Sequence, residues 1–107
     1  MMRFVMRVRV YPAAESRLEG VWRYTEERGG AEQAELYTRG LLLHLESIVD
    51  QPEIWRFHRD PRFKGIHFVR YQHHFLYFKV LGDGDLGLMT ILHERMDIPR
   101  RLLDDLG

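Results

Sequence analysis

Two adjacent glycines, Gly29 and Gly30, interrupt the only long stretch of this 107-residue sequence that has helical periodicity. In the segment before them, apolar side chains recur at steps of three and four residues, the spacing of one face of an α-helix. Pro12 suits the first turn of that helix, where an N–H has no intrahelical partner. The residues predicted to face inward are Ala14, Leu18, Val21, Trp22 and Thr25.

A second helix is predicted from about Ala31 to Asp50. Its inner face is formed by Ala34, Tyr37, Leu41, Leu45 and Ile48. Because the glycine link is so short, we expect the two helices to fold back on one another as an antiparallel hairpin. Gly40 lies inside the second helix, where glycine costs about 1 kcal/mol relative to alanine, so we expect another backbone to approach closely there.

The remaining segments mostly have the period of two that is typical of half-buried strands. Residues Arg3 to Tyr11 alternate, with Phe4, Met6, Val8 and Val10 on one side. After Gly65 come "IHFVRY", "HHFLYFKVL" and, beyond the turn "GDGD", "LGLMTILH". These three segments predict an antiparallel meander.

Two segments give weaker signals. Residues 52–65 have no clean period, and we expect a long loop with at most a helical turn. Pro99 starts a short predicted helix whose apolar side is Leu102, Leu103 and Leu106. The order β-α-α-β-β-β predicts an α+β fold, a helix hairpin packed on one face of a small, twisted, mainly antiparallel sheet. We expect a single domain over residues 1–107, with room for one core.

Composition excludes several classes of function. The chain has no cysteine, so disulfides, thiolate zinc sites and a cysteine nucleophile are excluded. No apolar run approaches the roughly 18 residues that span a bilayer, and arginines interrupt the N-terminal segment too often for a secretory signal. We expect no membrane partner and a cytoplasmic location. The six histidines include no helical pair with metal-ligand spacing, so no metal site and no cofactor are expected.

Charge is balanced overall but unevenly distributed. The 16 basic and 16 acidic residues give a net charge of zero, which does not favour direct nucleic-acid binding. Residues 54–81, however, carry six basic residues and one acidic residue, together with four of the six histidines. An anionic partner would gather at this basic block, unless the pattern only reflects solvated surfaces.

The best cluster of titratable residues ends the last predicted strand. His93 and Arg95 should share one face of that strand, with Glu94 on the other and Asp97 following. Such a cluster can serve acid–base chemistry. It can equally be structural, with an ion pair between Arg95 and Asp97 that fixes the end of the strand. The serines and threonines offer no nucleophile beside a histidine, and "GDGDLG" lacks the lysine of a phosphate-binding loop.

Three parts of the chain carry a resemblance to a known family: residues 12–53 after the N-terminal strand, the strand pair "KGIHFVRYQHHFLYFKV", and "ILHERMDIPRRL". Together they resemble the ParE toxins of the RelE/ParE superfamily, the toxin halves of type II toxin–antitoxin modules. "LHERMD" is close to the family's usual "LHGRMD" or "LHGRRD". The resemblance implies the same β-α-α-β-β-β fold.

The resemblance implies one of two activities. RelE-like members cleave mRNA on the ribosome with an arginine in the middle strand, another at the end of the last strand and a tyrosine in the tail. Those places fall on Phe75, Arg95 and a position near Arg101, so only one of the three residue types is present. ParE-like members inhibit DNA gyrase by binding. The resemblance therefore favours a binding inhibitor with no catalytic residues.

Three positions depart from common ParE sequences. His67 stands where arginine is frequent, Gln72 where a turn glycine is usual, and Phe78 where tyrosine often occurs. The replaced glycine predicts a longer or altered loop between the two strands.

The resemblance implies two partners, DNA gyrase and a cognate antitoxin, whose bound segment would bury apolar anchors on the helix hairpin and add acidic groups near the basic block. Residues predicted to bind the target are Arg70, His74, His93, Arg95, Met96, Asp97, Arg100 and Arg101. Residues predicted to bind the antitoxin are Trp22, Tyr37, Trp55, Arg56, Arg59, Arg62 and Lys64. Two alternatives stay open: a ribosome-dependent endoribonuclease that uses His74, Arg70 and Arg95, and an inactive, toxin-like interaction protein.

Overall fold

The computed structural model describes residues 7–106 and confirms an α+β fold with helices on a mainly antiparallel sheet. The helices are α1, Pro12–Ser47, and α2, Ile98–Leu106. The strands are β1 (Val8–Val10), β2 (Arg56–Phe57), β3 (His67–Tyr71), β4 (His74–Val80) and β5 (Leu86–His93). Two short 3-10 turns, Pro52–Ile54 and Pro61–Phe63, flank β2.

Helix α1 is the predicted hairpin. Its two arms, residues 12–29 and 31–47, meet at Gly30, whose φ of 91° and ψ of 169° are not helical. This left-handed φ favours glycine because a side chain would be strained there. Residues of both arms line one groove, so the arms lie against each other. The second arm ends at Ser47, three residues before the predicted end.

The sheet has five strands in the order β1-β5-β4-β3-β2. Strand β1 runs parallel to β5 and pairs with Leu86 to Leu88, while all other neighbours are antiparallel. Of the predicted N-terminal strand the structure describes Val8–Val10, and positions 3–6 lie outside the described residues. Strand β1 stops at Val10 because Pro12 begins α1 two residues later.

Residues 52–65, predicted as a long loop with at most a helical turn, contain two short helical turns and also a strand that the prediction missed. Arg56 and Phe57 pair with Phe68 and His67 and add an edge strand to the sheet. Two residues are too few to show a period of two in the sequence, so the strand depends on its neighbour β3 rather than on local pattern.

The expectation of one core was also wrong, because side chains pack on both faces of the sheet. Val69, Leu76 and Ile91 are paired across β3, β4 and β5 and are buried in a core shared with α1. On the opposite face, Tyr77 and Leu92 are buried in a smaller core with Leu102 of α2 and Phe63. Of the predicted apolar side of α2, Leu103 is instead exposed, because α2 presents Leu102 and Leu106 to this second core.

Gly40 is in close contact with a side chain, not with another backbone as predicted. A β-carbon at this position would overlap the Tyr71 hydroxyl and lie 3.3 Å from the ring carbon that bears it. Tyr71 packs against the core beneath α1, so the missing side chain of Gly40 makes room for this ring. The sequence indicated a close approach but could not identify the neighbour.

Candidate functional site

One end of the sheet gathers most of the residues predicted to bind the target. There Tyr71 of β3 lies opposite His74 of β4, and His74 lies opposite His93 of β5. The link between β3 and β4 is a turn of two residues, whereas a longer or altered loop was predicted. Gln72 has a φ of 52°, the conformation for which glycine is usual, so the turn is kept despite the replacement. Arg70 Nε donates to the Gln72 carbonyl over 2.7 Å and holds the turn.

Glu94, immediately after β5, is the centre of an ion-paired cluster. Its carboxylate contacts the Arg70 guanidinium and lies 2.8 Å from His73 Nδ1, and its N–H donates to the His73 carbonyl over 2.9 Å. The hydrogen bond from His73, with the nearby Arg70 charge, holds the pKa of Glu94 below its ordinary value. These contacts join the end of β5 to the β3–β4 turn.

The predicted ion pair between Arg95 and Asp97 does not form within residues 7–106. The His93 ring accepts a hydrogen bond from the Arg95 N–H over 3.0 Å, and its carbonyl accepts from the Met96 N–H. The Asp97 carbonyl accepts from the Arg101 N–H at the start of α2. The acidic residue that ties the end of β5 to its surroundings is therefore Glu94, not Asp97.

On the α1 side of the same sheet end lies a half-buried pair, Tyr37 and His74. The Tyr37 hydroxyl and His74 Nδ1 are 2.7 Å apart and share a hydrogen bond. Burial, together with the neighbouring His93 and His73, lowers the pKa of His74 to about 4. Burial also raises the pKa of the Tyr37 hydroxyl. At neutral pH both groups are uncharged, and His74 is a very weak base.

The residues of the endoribonuclease alternative do not converge. Adjacent residues of a strand point to opposite faces, and Arg70 lies opposite Phe75 while His74 follows in the next pair. The Arg70 side chain therefore projects from the face of the sheet that α2 covers, where it pairs with Glu94. The His74 side chain projects from the opposite face, toward Tyr37 of α1. Arg95 follows the end of β5 and lines the same groove as His74, so Arg70 is the residue that lies apart.

A groove of about 690 Å³ runs along this end of the molecule, between the first arm of α1, the end of β5 and α2. Four predicted target-binding residues line it: His74, His93, Arg95 and Met96. The opposite wall is formed by the first arm, where Tyr24 is 53% exposed. We call this feature the α1–β5 groove.

Helix α2 is fixed beside that groove by one carboxylate. Asp105 accepts two hydrogen bonds from Arg17, Nε at 2.9 Å and Nη2 at 3.1 Å, and one from the Thr90 hydroxyl at 2.6 Å. Burial alone would raise the pKa of Asp105, but these hydrogen bonds outweigh it and hold the pKa below its ordinary value of 3.8. The other predicted target residues, Arg100 and Arg101, are exposed on α2, with Arg101 4.0 Å from Asp104.

The residues predicted to bind an antitoxin fall into three separate places. Trp22 lines a second groove, of about 310 Å³, between the two arms of α1. Tyr37 is on the inner side of α1 against Tyr71 and His74, so it is not part of that outer groove. The remaining five lie at or beside β2 and are Trp55, Arg56, Arg59, Arg62 and Lys64.

Trp55 is half-buried: its indole N–H donates to the Ile48 carbonyl over 2.9 Å and its ring packs against Phe78. Arg62 pairs with Asp60, whose pKa these contacts lower to about 2. Arg56, Arg59 and Lys64 are exposed and form no ion pair with any residue in the described part of the chain. Only these three of the five present free cations.

Sequence reasoning missed several members of these sites. Arg17 and Asp105 are 88 residues apart, and neither position has a local signal for their pairing. His73 was not among the predicted site residues, although its side chain contacts Glu94. Phe57 was also missed, because it lies in the segment predicted as a loop; it is in β2, and its side chain is 73% exposed. The available signal in the sequence was an aromatic residue close to Arg56 and Arg59.

The described residues contain neither a cluster suited to a metal ion nor a helix suited to span a membrane. No cluster of three or more histidine or acidic side chains within residues 7–106 has the arrangement of a metal site. None of the described helices is long and apolar enough to cross a membrane.

The helix hairpin over a sheet whose first strand runs parallel to its last defines a small α+β fold, and comparisons with known proteins give the family. The protein-family model that describes the ParE toxin of the type II toxin–antitoxin system parDE matches residues 8–98. This chain is 35% identical to Toxin ParE1 of two Mycobacterium tuberculosis strains over 91 residues, covering 85% of this chain and 92% of that toxin. The chain therefore belongs to the ParE toxin family.

A solved structure agrees on the fold. A chain from the chromosomal ParDE toxin–antitoxin system of P. aeruginosa superimposes with a TM-score of 0.67 at 15% identity. The match covers 82% of this chain and 95% of that one. At this identity the likeness supports the α+β fold.

Proposed function

We propose that this chain is a toxin that inhibits DNA gyrase by binding it, and that a cognate antitoxin neutralises the toxin. Membership of the ParE family over residues 8–98 supports a toxin–antitoxin role. The observation that carries the choice of binding over catalysis is the division of the candidate catalytic groups between the two faces of the sheet.

Transcript cleavage requires a base for the ribose hydroxyl and cations around the reacting phosphate. His74 is held neutral with a pKa of about 4, which makes it a poor base at neutral pH. Arg70 is occupied by Glu94 on the other face. Phe75, in the place of the middle-strand arginine, is part of the second core and has no cation to offer. These features disfavour a ribonuclease.

The surface that fits a protein target best is the α1–β5 groove. Its lining combines apolar groups, such as Val21 and Met96, with the exposed cation Arg95 at one end. A groove of this size with a few polar groups at its rim is a common form of recognition site. The groove between the two arms of α1, whose lining includes Trp22, is the proposed place for apolar anchors of the antitoxin.

The function is tested by assaying the purified chain in parallel against gyrase supercoiling and against mRNA on translating ribosomes. We expect loss of supercoiling without discrete transcript cleavage. Codon-specific cleavage would contradict the proposal and support the endoribonuclease. Unaffected growth when the chain is expressed without antitoxin would contradict it in favour of an inactive interaction protein.

The target surface has its own test. Arg95→Ala combined with Met96→Ala should weaken gyrase inhibition by about ten-fold, since a few central contacts carry most interface energy. Arg23→Ala, an exposed arginine of α1 outside the lining of the groove, is the matched control and should inhibit like the unmodified chain. Equal inhibition by both variants would place the target elsewhere.

A further inference from the structure

The Tyr37 hydroxyl fixes which nitrogen of the His74 ring carries the hydrogen. The hydroxyl oxygen and His74 Nδ1 are 2.7 Å apart and share one hydrogen bond. A phenol is a better donor than a neutral imidazole, and an imidazole nitrogen is a better acceptor than a phenol oxygen, so the hydroxyl donates and Nδ1 accepts. A neutral imidazole has only one hydrogen on its two nitrogens. In His74 that hydrogen is therefore on Nε2.

The surroundings of His74 keep its ring uncharged. The ring lies edge-on to those of His93 and Tyr37, with centroids 5.0 Å and 5.5 Å away. Burial, together with the neighbouring His93 and His73, lowers the pKa of His74 to about 4. At neutral pH His74 Nε2–H is therefore a hydrogen-bond donor without a charge.

This donor has no partner in the described part of the chain, and it faces the α1–β5 groove. Tyr37 is the only hydrogen-bond partner of the His74 side chain within residues 7–106, and it occupies Nδ1. Within the same range His67 Nδ1 is the only buried side-chain nitrogen or oxygen that lacks a partner, so His74 Nε2 contacts solvent. Because His74 lines the groove, a ligand in the groove can accept from Nε2–H.

The charges of the groove leave one cation for a ligand. Two arginines line it, Arg17 and Arg95. Arg17 donates twice to Asp105, which also lines the groove, so these two charges cancel. Arg95 is exposed and forms no ion pair with another residue of the described chain. A ligand in the groove therefore meets one neutral donor and one unpaired positive charge.

We propose that the α1–β5 groove binds a segment of gyrase whose backbone carbonyl accepts from His74 Nε2–H and whose acidic side chain pairs with Arg95. A carbonyl suits the half-buried, uncharged donor, because placing a carboxylate there costs more free energy than placing a neutral acceptor. A carboxylate suits Arg95, because both charges stay in contact with water. Tyr37 is a positioning residue that acts through His74. This inference rests on the proposed inhibition of gyrase.

The DNA that gyrase holds is the other anionic candidate for this groove. A nucleic-acid backbone is bound mainly by several cations that neutralise its phosphates, and the groove has only Arg95 to offer. Its lining also includes the apolar side chains of Val21, Ile91 and Met96, which suit a polypeptide. The groove therefore favours a protein segment of gyrase.

Two replacements of His74 with similar length separate the donor from the ring. Gln carries an N–H donor near the end of its side chain, and Met has none. The readout is the concentration of toxin that gives half inhibition of supercoiling. His74→Met should raise it about ten-fold, the effect of one lost hydrogen bond, whereas His74→Gln should stay within about three-fold of the unmodified chain. Neither difference should depend on salt, because the donor is neutral.

The charged contact has a different signature. Arg95→Gln should raise the half-inhibiting concentration about ten-fold at low salt, and the effect should shrink at high salt, which screens an exposed ion pair. Arg23→Gln, an exposed arginine of α1 outside the groove lining, is the matched control and should inhibit like the unmodified chain at both salt concentrations.

The positioning role of Tyr37 is measured by nitrogen NMR of the histidine rings, with the His74 signals assigned by their loss in His74→Gln. We expect the hydrogen on Nε2 in the unmodified chain. Tyr37→Phe removes the donor to Nδ1, so both tautomers should become populated and inhibition should fall between those of the unmodified chain and His74→Met. Tyr71→Phe removes a hydroxyl from the neighbouring ring, which does not bond His74, and should change neither readout.

Four outcomes would overturn the inference. One is a hydrogen found on Nδ1 of His74 in the unmodified chain, which the NMR spectrum shows independently of gyrase. Another is equal loss of inhibition in His74→Gln and His74→Met, which would mean that the ring only packs. The third is inhibition by Arg95→Gln equal to that of the control at low salt. The fourth is binding of DNA alone that Arg95→Gln weakens. Failure of the proposed function is distinct, because the unmodified chain itself would then leave supercoiling intact.

Discussion

The two edges of the sheet use arginine in opposite ways. At the β1 edge, Arg7 reaches Asp50 at 2.9 Å, Arg9 reaches Asp83 at 2.5 Å, and nearby Arg17 binds Asp105 of α2. At the β2 edge, Arg56 and Arg59 have no carboxylate partner among the described residues. The first edge is held by charges that pair with one another, whereas the cations of the second edge have no partner among the described residues.

Burial differs between these regions in the same direction. Leu102, on the helix beside the first edge, is fully buried, whereas Phe57 on the second edge is 73% exposed. Residues that complete the fold therefore concentrate near β5 and α2. At β2, by contrast, a large aromatic side chain is left in contact with solvent.

The largest expected difference in stability is between two truncations of apolar side chains, one buried under α2 and one exposed on β2. Leu102→Ala should lower the free energy of unfolding by about 3 kcal/mol, because it leaves a cavity in the second core. Phe57→Ala should lower it by less than about 1 kcal/mol, because most of the ring is already in water. Urea unfolding measures both values. A similar loss in the two variants would break the comparison.

The next effect concerns the carboxylate that fixes α2. Asp105→Asn should lower the free energy of unfolding by about 2 kcal/mol, since Arg17 loses its partly buried anionic acceptor. Its control is Asp104→Asn on the same helix, where the carboxylate is 56% exposed and 4.0 Å from Arg101. There the change should be under about 0.5 kcal/mol. Equal values for the two variants would show that Asp105 contributes no more than a surface charge.

Acid unfolding should distinguish the same carboxylate. The folded-state pKa of Asp105 lies below its ordinary value of 3.8, so protonation favours the unfolded chain. The stabilisation is fully present above about pH 4 and is lost as pH falls through the folded-state pKa. The difference in unfolding free energy between the unmodified chain and Asp105→Asn should therefore shrink below about pH 4. A constant difference down to low pH would contradict the assigned charge.

The smallest effects are expected for exposed arginines. Arg9→Ala should lower the free energy of unfolding by about 0.5 kcal/mol, because its pair with Asp83 is largely in water. Arg59→Ala should change it by less, with no pair to lose. Calorimetry on both variants sharpens the contrast between the edges. A clearly larger loss from Arg59→Ala would reveal a structural role for this residue.

Sequence periodicity predicted the parts of the fold that are long enough to repeat. The α1 hairpin, its turn at Gly30 and the order of β3, β4 and β5 follow from apolar spacing and glycine placement. Strand β2 was missed because two residues carry no period, and the second core was missed because nothing local tells which face of the sheet α2 covers.

The sequence predicted which residues of the candidate site lie near one another, but not which of them are in contact. Alternation correctly put His93 and Arg95 together, and both line the α1–β5 groove. The partners of Glu94 are Arg70 and His73, which approach it only because β4 pairs with both β3 and β5. Tertiary pairing of this kind has no signature in a single sequence, so the predicted acidic partner, Asp97, was wrong.

The most direct test of the central claim, inhibition by binding, is a titration of gyrase supercoiling at several gyrase concentrations. A binding inhibitor must be present in proportion to its target, so the amount of toxin that gives half inhibition should rise as gyrase is increased, while mRNA on translating ribosomes stays intact. If a trace of toxin instead inactivated a large excess of gyrase, or cleaved transcripts at defined codons, the chain would be acting as a catalyst and the account would be contradicted.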